Sequence, residues 1–157
     1  MSRTTRATLA MARAGIEFAL HAYDYDPSAE RVGLQAAQAL GEDPARVLKT
    51  LMAEVDGKPV CVVLPSNREV SLKALAAAVG GKAAAMMKPA DAERLTGYVV
   101  GGISPFGQKR SVPMVMEAAA LALSYVYVNA GQRGLLARLE PKAALKALSA
   151  KSAAVTA

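Results

Sequence analysis

Apolar residues change their spacing several times along the chain, and each spacing predicts a different element. With Thr4 or Thr5 as N-cap, a helix is predicted to about Ala14, with Leu9, Ala10 and Met11 as core candidates and Gly15 as the stop. Ile16 to Tyr23 then alternates, with Ile16, Phe18 and Leu20 on one face and Glu17, His21 and Tyr23 on the other, which predicts a strand. Asp24 to Ser28 reads as a loop, Gly33 to Leu40 as an Ala-rich helix closed by Gly41, and Asp43-Pro44 as the N-cap and first residue of one more helical turn. Val47 to Val55, Asp56-Gly57 and Pro59 to Leu64 form a β-hairpin pattern, because Asp-Gly supplies the positive φ angles of a two-residue turn. Ser71 caps a helix through Val79 that stops at Gly80-Gly81; a short apolar segment reaches Met87, and Pro89 to Thr96 is a helix ending at Gly97.

Beyond Gly97, the runs Val112 to Met116, Ser124 to Val128 and Leu135 to Leu139 are predicted strands, with Pro113 at an edge or a strand start. Asn129 to Gly134 reads as a glycine turn, Pro141 to about Leu148 as a closing helix, and 151–157 as a short tail. Helices and strands interleave without a regular βαβ period, and hairpins are present. The expected fold is therefore α/β, with a curved, barrel-like mixed sheet surrounded by helices rather than a doubly wound parallel one.

At 157 residues, with 53% hydrophobic and 20% charged residues, the chain suits a single folded domain spanning residues 1–157. No apolar run is long enough to cross a bilayer, so a soluble cytoplasmic protein with no membrane partner is expected. The net charge of +6 favours phosphate-bearing ligands, while 4% aromatic residues and no Trp leave little for a base-stacking platform. One cysteine, Cys61, and one histidine, His21, cannot supply a metal cluster, and Cys61 in its β-branched run reads as a small buried hydrophobe.

Candidate chemistry concentrates in 97–110, which places four glycines and a proline between apolar runs. Glycines there permit close backbone approach to a ligand, yet the spacing matches neither a dinucleotide fingerprint nor a P-loop, and an ordinary tight turn has the same composition. Lys49 lies on a strand face with Val47, Leu51, Ala53 and Val55. Its stem can pack there while the ammonium reaches water, or the ammonium can enter a pocket and meet an anion. Tyr23, the 129–134 turn and the basic pair Lys109-Arg110 complete the candidates. No nucleophile elbow is present, so in an enzyme reading the nucleophile is water or the substrate itself.

The runs Val47-Leu48-Lys49-Thr50-Leu51, Thr96 to Arg110 and Val126 to Leu135, in this order, resemble the YbaK/EbsC family of aminoacyl-tRNA editing proteins, with His21-Ala22-Tyr23 and Asp26-Pro27 agreeing upstream. Within it, the chain is most similar to the Cys-tRNA(Pro) deacylases, relatives of the domain inserted in bacterial prolyl-tRNA synthetases. That resemblance implies a curved mixed sheet with a pocket for the aminoacylated terminal adenosine, cleavage of the aminoacyl ester with the substrate thiol as nucleophile, and no cofactor. It also implies aminoacyl-tRNA as substrate and a prolyl-tRNA synthetase as partner. By position, Lys49 matches the family's essential lysine, Tyr23 its pocket tyrosine, and Gly101, Gly102, Ile103, Ser104 and Pro105 the loop around the terminal nucleotide and ester. On this view Gly101 and Gly102 N–H groups polarise the ester carbonyl, and Asn129 and Gly131 contact substrate. Two positions depart from the pattern: Asn129, where Ser is usual, and Leu136, where Asp is usual. Editing of Ala- or Ser-tRNA with water, and non-catalytic binding of tRNA or a synthetase, are the alternative expectations.

Overall fold

A computed structural model describes residues 4–28 and 32–157. Helix α1 (Arg6–Arg13) begins at Thr5, whose hydroxyl accepts from Thr8 N–H at 3.0 Å while the Thr8 hydroxyl accepts from Thr5 N–H at 2.8 Å, a reciprocal cap. Strand β1 (Ala19–Ala22) follows, then α2 (Val32–Leu40) and a 3₁₀ turn, Pro44–Arg46. Next come strands β2 (Leu48–Val55) and β3 (Lys58–Pro65), helix α3 (Leu72–Ala78), strand β4 (Ala84–Met86) and helix α4 (Pro89–Thr96). The chain continues through β5 (Met114–Glu117), β6 (Val126–Gln132), β7 (Leu135–Leu139), α5 (Pro141–Leu148) and β8 (Lys151–Ala153).

These strands form two sheets, β1-β7-β6 and β4-β2-β3-β5-β8, the second mixed because β5 runs parallel to β3 and to β8. The β2–β3 hairpin turns at Asp56 (φ 51°) and Gly57 (φ 81°), the geometry of a primed turn. Among the described residues a single parallel bridge, Val47 to Tyr127, ties the sheets together without closing them into a barrel. One core fills the space between α1, β2, β3 and β6–β7, with Met11, Met52, Val63, Met116 and Val128 fully or nearly buried. A second lies under α3, where Leu75 is fully buried against Val62, Leu64 and Val115; burying such a leucine contributes about 2 kcal/mol. The mixed α/β architecture is thus as the sequence pattern predicts, with the strands divided between two sheets.

Four element readings need correction. β1 spans Ala19–Ala22 instead of Ile16 to Tyr23, because its one partner strand among the described residues, β7, gives way to a turn at Gly134 and to Pro141 of α5. β5 starts after Pro113, which has no N–H to donate, although the Pro113 carbonyl still accepts from Cys61 N–H at 2.9 Å. β6 runs on to Gln132 through a bulge between Asn129 and Gln132, with Gly131 at φ 89°, leaving only Arg133-Gly134 as the turn. The predicted tail is instead a sheet edge: β8 pairs with β5, Val155 is fully buried, and Thr156 bridges to Val70. Glu117 holds this segment, its carboxylate accepting from Val155 N–H at 2.8 Å and Thr156 N–H at 3.2 Å. A period-2 strand signal needs more than three residues, so this short strand is not legible in the sequence.

Candidate active site

The start of β2, the first turns of α4, the 97–110 loop and the β6 bulge surround a cavity of about 380 Å³. Tyr23, Lys49, Gly101, Ile103 and Asn129 line it; Gly102, Ser104, Pro105 and Gly131 do not. Leu48, Leu51, Met52, Met86, Met87 and Leu136 make the lining largely apolar.

The loop begins where α4 ends, at Gly97 in the left-handed conformation (φ 81°). Four contacts then fix it. Val100 N–H donates to the Glu93 carboxylate at 2.8 Å, Arg133 Nε donates to the Val100 carbonyl at 2.9 Å, and Gly102 N–H donates to the Val99 carbonyl at 2.8 Å. Asn129 Nδ2 donates to the Gly101 carbonyl at 3.2 Å. Gly101 has φ 90°, a conformation other residues rarely adopt, and a Cβ there would stand 2.8 Å from the Tyr25 hydroxyl. Past the cavity, Ser104 is fully buried, its Oγ accepting from Phe106 N–H at 3.1 Å and its carbonyl accepting from Gln108 Nε2 at 3.0 Å.

These contacts show how each expected residue is held. Gly102 N–H is engaged within the loop, whereas the N–H groups of Gly101 and Ile103 bond to none of the described residues. Ser104 is a structural pin that sets the loop's descent. Asn129 is a bracket: its Oδ1 accepts from Gly131 N–H at 2.7 Å and Gln132 N–H at 3.2 Å, and its Nδ2 also donates to the Gln132 carbonyl at 3.3 Å. Gly131 faces away from the cavity, where a Cβ would lie 2.9 Å from the Tyr98 ring.

Lys49 Nζ stands 3.9 Å from Glu69 Oε1, with the lysine side chain 22% exposed and the glutamate 69%. At that exposure the pair adds little to stability. Its value is placement of two opposite charges at an apolar mouth. Burial, helped by the nearby Tyr25 phenol, pushes the Tyr23 phenol above its ordinary pKa. Ser66 Oγ is committed to the Pro44 carbonyl at 3.0 Å, and Thr50 Oγ1 is buried without a hydrogen-bond partner. Cys61 lies outside the lining, fully buried, and burial raises its thiol pKa to about 12. That excludes it as a thiolate nucleophile near neutral pH.

Glu69 and the anchor Glu93 are not singled out in the sequence, while Thr50 and the anchor Arg133 enter it only as members of the 47–51 run and the 129–134 turn. Glu69 lies in an irregular connection between β3 and α3, and no periodicity or motif links it to Lys49. Glu93 sits on an ordinary helix face seven residues before the N–H it accepts from.

The fold and site together define a small α/β domain built around a largely apolar cleft lined by a lysine, a glutamate and the glycine loop. Residues 27–147 match the model of the aminoacyl-tRNA editing domain, and the chain belongs to that family. It is 36% identical over 137 residues to EbsC of Enterococcus faecalis, named as a candidate Cys-tRNA(Pro)/Cys-tRNA(Cys) deacylase, covering 85% of this chain and 83% of that one. It is 27% identical over 111 residues to ProXp-y of Escherichia coli K12, a multifunctional Ser/Thr-tRNA deacylase, covering 68% of this chain and 64% of that one. A crystal structure described as a candidate trans-editing enzyme for prolyl tRNA synthetase superposes with a TM-score of 0.82 over 97% of this chain and 95% of that chain, at 22% identity. That likeness establishes the fold. Among the described residues, no helix is long and apolar enough to cross a membrane.

Proposed function

We propose that this protein is a trans-editing deacylase that removes cysteine mischarged onto tRNA(Pro). The observation that carries this reading is the convergence of Lys49, Gly101, Ile103 and Tyr23 on one apolar cavity whose described lining contains no activated protein nucleophile. Cleavage then needs a nucleophile from the ligand side. The cysteine thiol, already tethered to its own ester, requires only folding into attack geometry. Its sulfur bonds to the carbonyl carbon, the ester C–O bond breaks, and the thiol proton passes to the departing ribose oxygen; water opens the resulting cyclic thioester. Proline lacks the thiol and is spared by chemistry rather than by size.

In this mechanism the Gly101 and Ile103 N–H groups stabilise the developing oxyanion, in place of the Gly101–Gly102 pair expected from the sequence. Lys49 aligns the ester through a ribose, phosphate or carbonyl oxygen. Tyr23 and the apolar walls hold the aminoacyl group. The scarcity of aromatic residues argues against base reading, so tRNA identity is supplied by a prolyl-tRNA synthetase that holds the same tRNA. Cys-, Ala- and Pro-tRNA(Pro) offered to wild type and to Lys49→Ala test this directly. Rapid, Lys49-dependent loss of cysteine alone is the expected result, and cleavage of none of the three refutes it.

A second reading, hydrolysis of seryl or threonyl esters by water, is favoured by one observation. Thr50 lines the cavity with its Oγ1 buried and without a partner, and a turn of that side chain toward the cavity would let it pair with a substrate hydroxyl. Release of serine or threonine in place of cysteine would select it.

A further inference from the structure

Only two charged side chains line the cavity among the described residues, Lys49 and Glu69, and they face each other across 3.9 Å. The Glu69 segment is fixed from both sides. Ser66 N–H donates to the Val47 carbonyl at 2.9 Å, Ala157 N–H donates to the Glu69 carbonyl at 2.8 Å, and Ser71 N–H donates to the Val155 carbonyl at 2.7 Å. The residues that the sequence pattern reads as a tail therefore hold the Glu69 backbone in place. Its carboxylate is left accessible at the mouth. Deeper in, Leu136 is 4% exposed and offers no charge.

We propose that Glu69 binds the α-ammonium group of the aminoacyl ester while Lys49 engages an oxygen of the same ester or its ribose-phosphate. The inference rests on the editing reading above and assigns the substrate's charged groups within that site. An α-aminoacyl ester carries an amine that is cationic near neutral pH, next to a carbonyl that becomes anionic during cleavage. A cation placed against apolar walls without a partner is strongly disfavoured, so the site needs an acceptor at its edge. Glu69 is the carboxylate available there. The order of charges, carboxylate beside ammonium and ammonium beside oxyanion, matches the ligand's own dipole and directs its side chain inward toward Met52 and Leu136.

The test compares Cys-tRNA(Pro) and Ser-tRNA with their N-acetylated forms, in which the amine carries no charge, using wild type, Glu69→Gln and Glu69→Ala. Wild type is expected to cleave at least one free-amine substrate roughly 10-fold more efficiently in kcat/KM than its N-acetyl form, the effect of one charge-assisted hydrogen bond at a partly exposed site. Both variants are expected to lose that preference by slowing on the free amine while leaving the N-acetyl substrate unchanged. Equal slowing on both forms would mean that Glu69 acts only by holding Lys49 or the loop, and would overturn the assignment, as would no effect on either. If wild type cleaves none of the free-amine substrates, the editing reading itself fails and this inference falls with it. Circular dichroism of the variants checks the fold.

Discussion

Asn129 offers the sharpest test of how the glycine loop is held. Its carboxamide makes four hydrogen bonds, accepting from Gly131 and Gln132 N–H at 2.7 and 3.2 Å and donating to the Gly101 and Gln132 carbonyls at 3.2 and 3.3 Å. Asn129→Ala removes all four at a half-buried site. The long contacts are worth little, and the short one to Gly131 near the usual net value, so the sum is about 2 kcal/mol. For a domain of this size that corresponds to a drop in Tm of about 4–8 °C. Asn129→Asp keeps an acceptor for the bulge N–H groups but sets a carboxylate against the Gly101 carbonyl. It should cost less stability than Ala while still releasing the loop. Thermal unfolding of the two variants gives the stability order, and deacylation of Cys-tRNA(Pro) reads the loop. Asn129→Ala melting within about 1 °C of wild type would refute the bracket role. Full activity in Asn129→Asp would refute the link between Asn129 and the loop.

Lys49→Ala should leave Tm nearly unchanged, since the side chain is partly exposed and its pairing with Glu69 is weak, while deacylation falls by at least ~10²-fold, as for loss of an oxyanion-type donor; retained activity removes Lys49 from the mechanism. Cys61→Ala should keep activity, and native wild type should resist iodoacetamide at pH 8, because its thiol pKa is about 12. The same burial predicts a stability contribution that is full below pH 9.0, the thiol's ordinary value, and is lost as pH rises toward about 12, because the unfolded chain releases the thiol proton first. Alkaline melts of wild type and Cys61→Ala measure it, and coincident curves would refute it. Glu117→Ala leaves the Val155, Thr156 and Ala119 N–H groups without their acceptor and should cost about 2–3 kcal/mol, read by urea unfolding. Gly107→Ala should be severe, because its φ is 68° and a Cβ would lie 2.5 Å from the Arg6 carbonyl oxygen; soluble expression with an unchanged melt would refute that contact.

The sequence by itself determined what depends on local chemistry. Thr5 as a cap, Asp56-Gly57 as a primed turn and Gly97 as a helix stop follow from side-chain acceptors and positive φ, and the hairpin then sets its own register. The α/β class followed from the order of those elements. Lys49 and the 101–105 loop stood out because a lysine on an apolar strand face and a glycine run are anomalies visible in one dimension.

Tertiary structure decided everything that depends on which segments meet. It joined Ala157 to Glu69 and so set a carboxylate beside Lys49, turned the last residues into an exposed edge strand followed by the fully buried Val155, and closed Gly102 N–H on Val99 while leaving Gly101 and Ile103 facing the cavity. Asn129, which lines the cavity, also brackets the loop for the same reason: its partners, Gly101 and Gln132, are assembled by a bulge and a loop 28 residues apart. Hydrogen-bond partners across such separations are selected by packing, and no propensity or spacing encodes them.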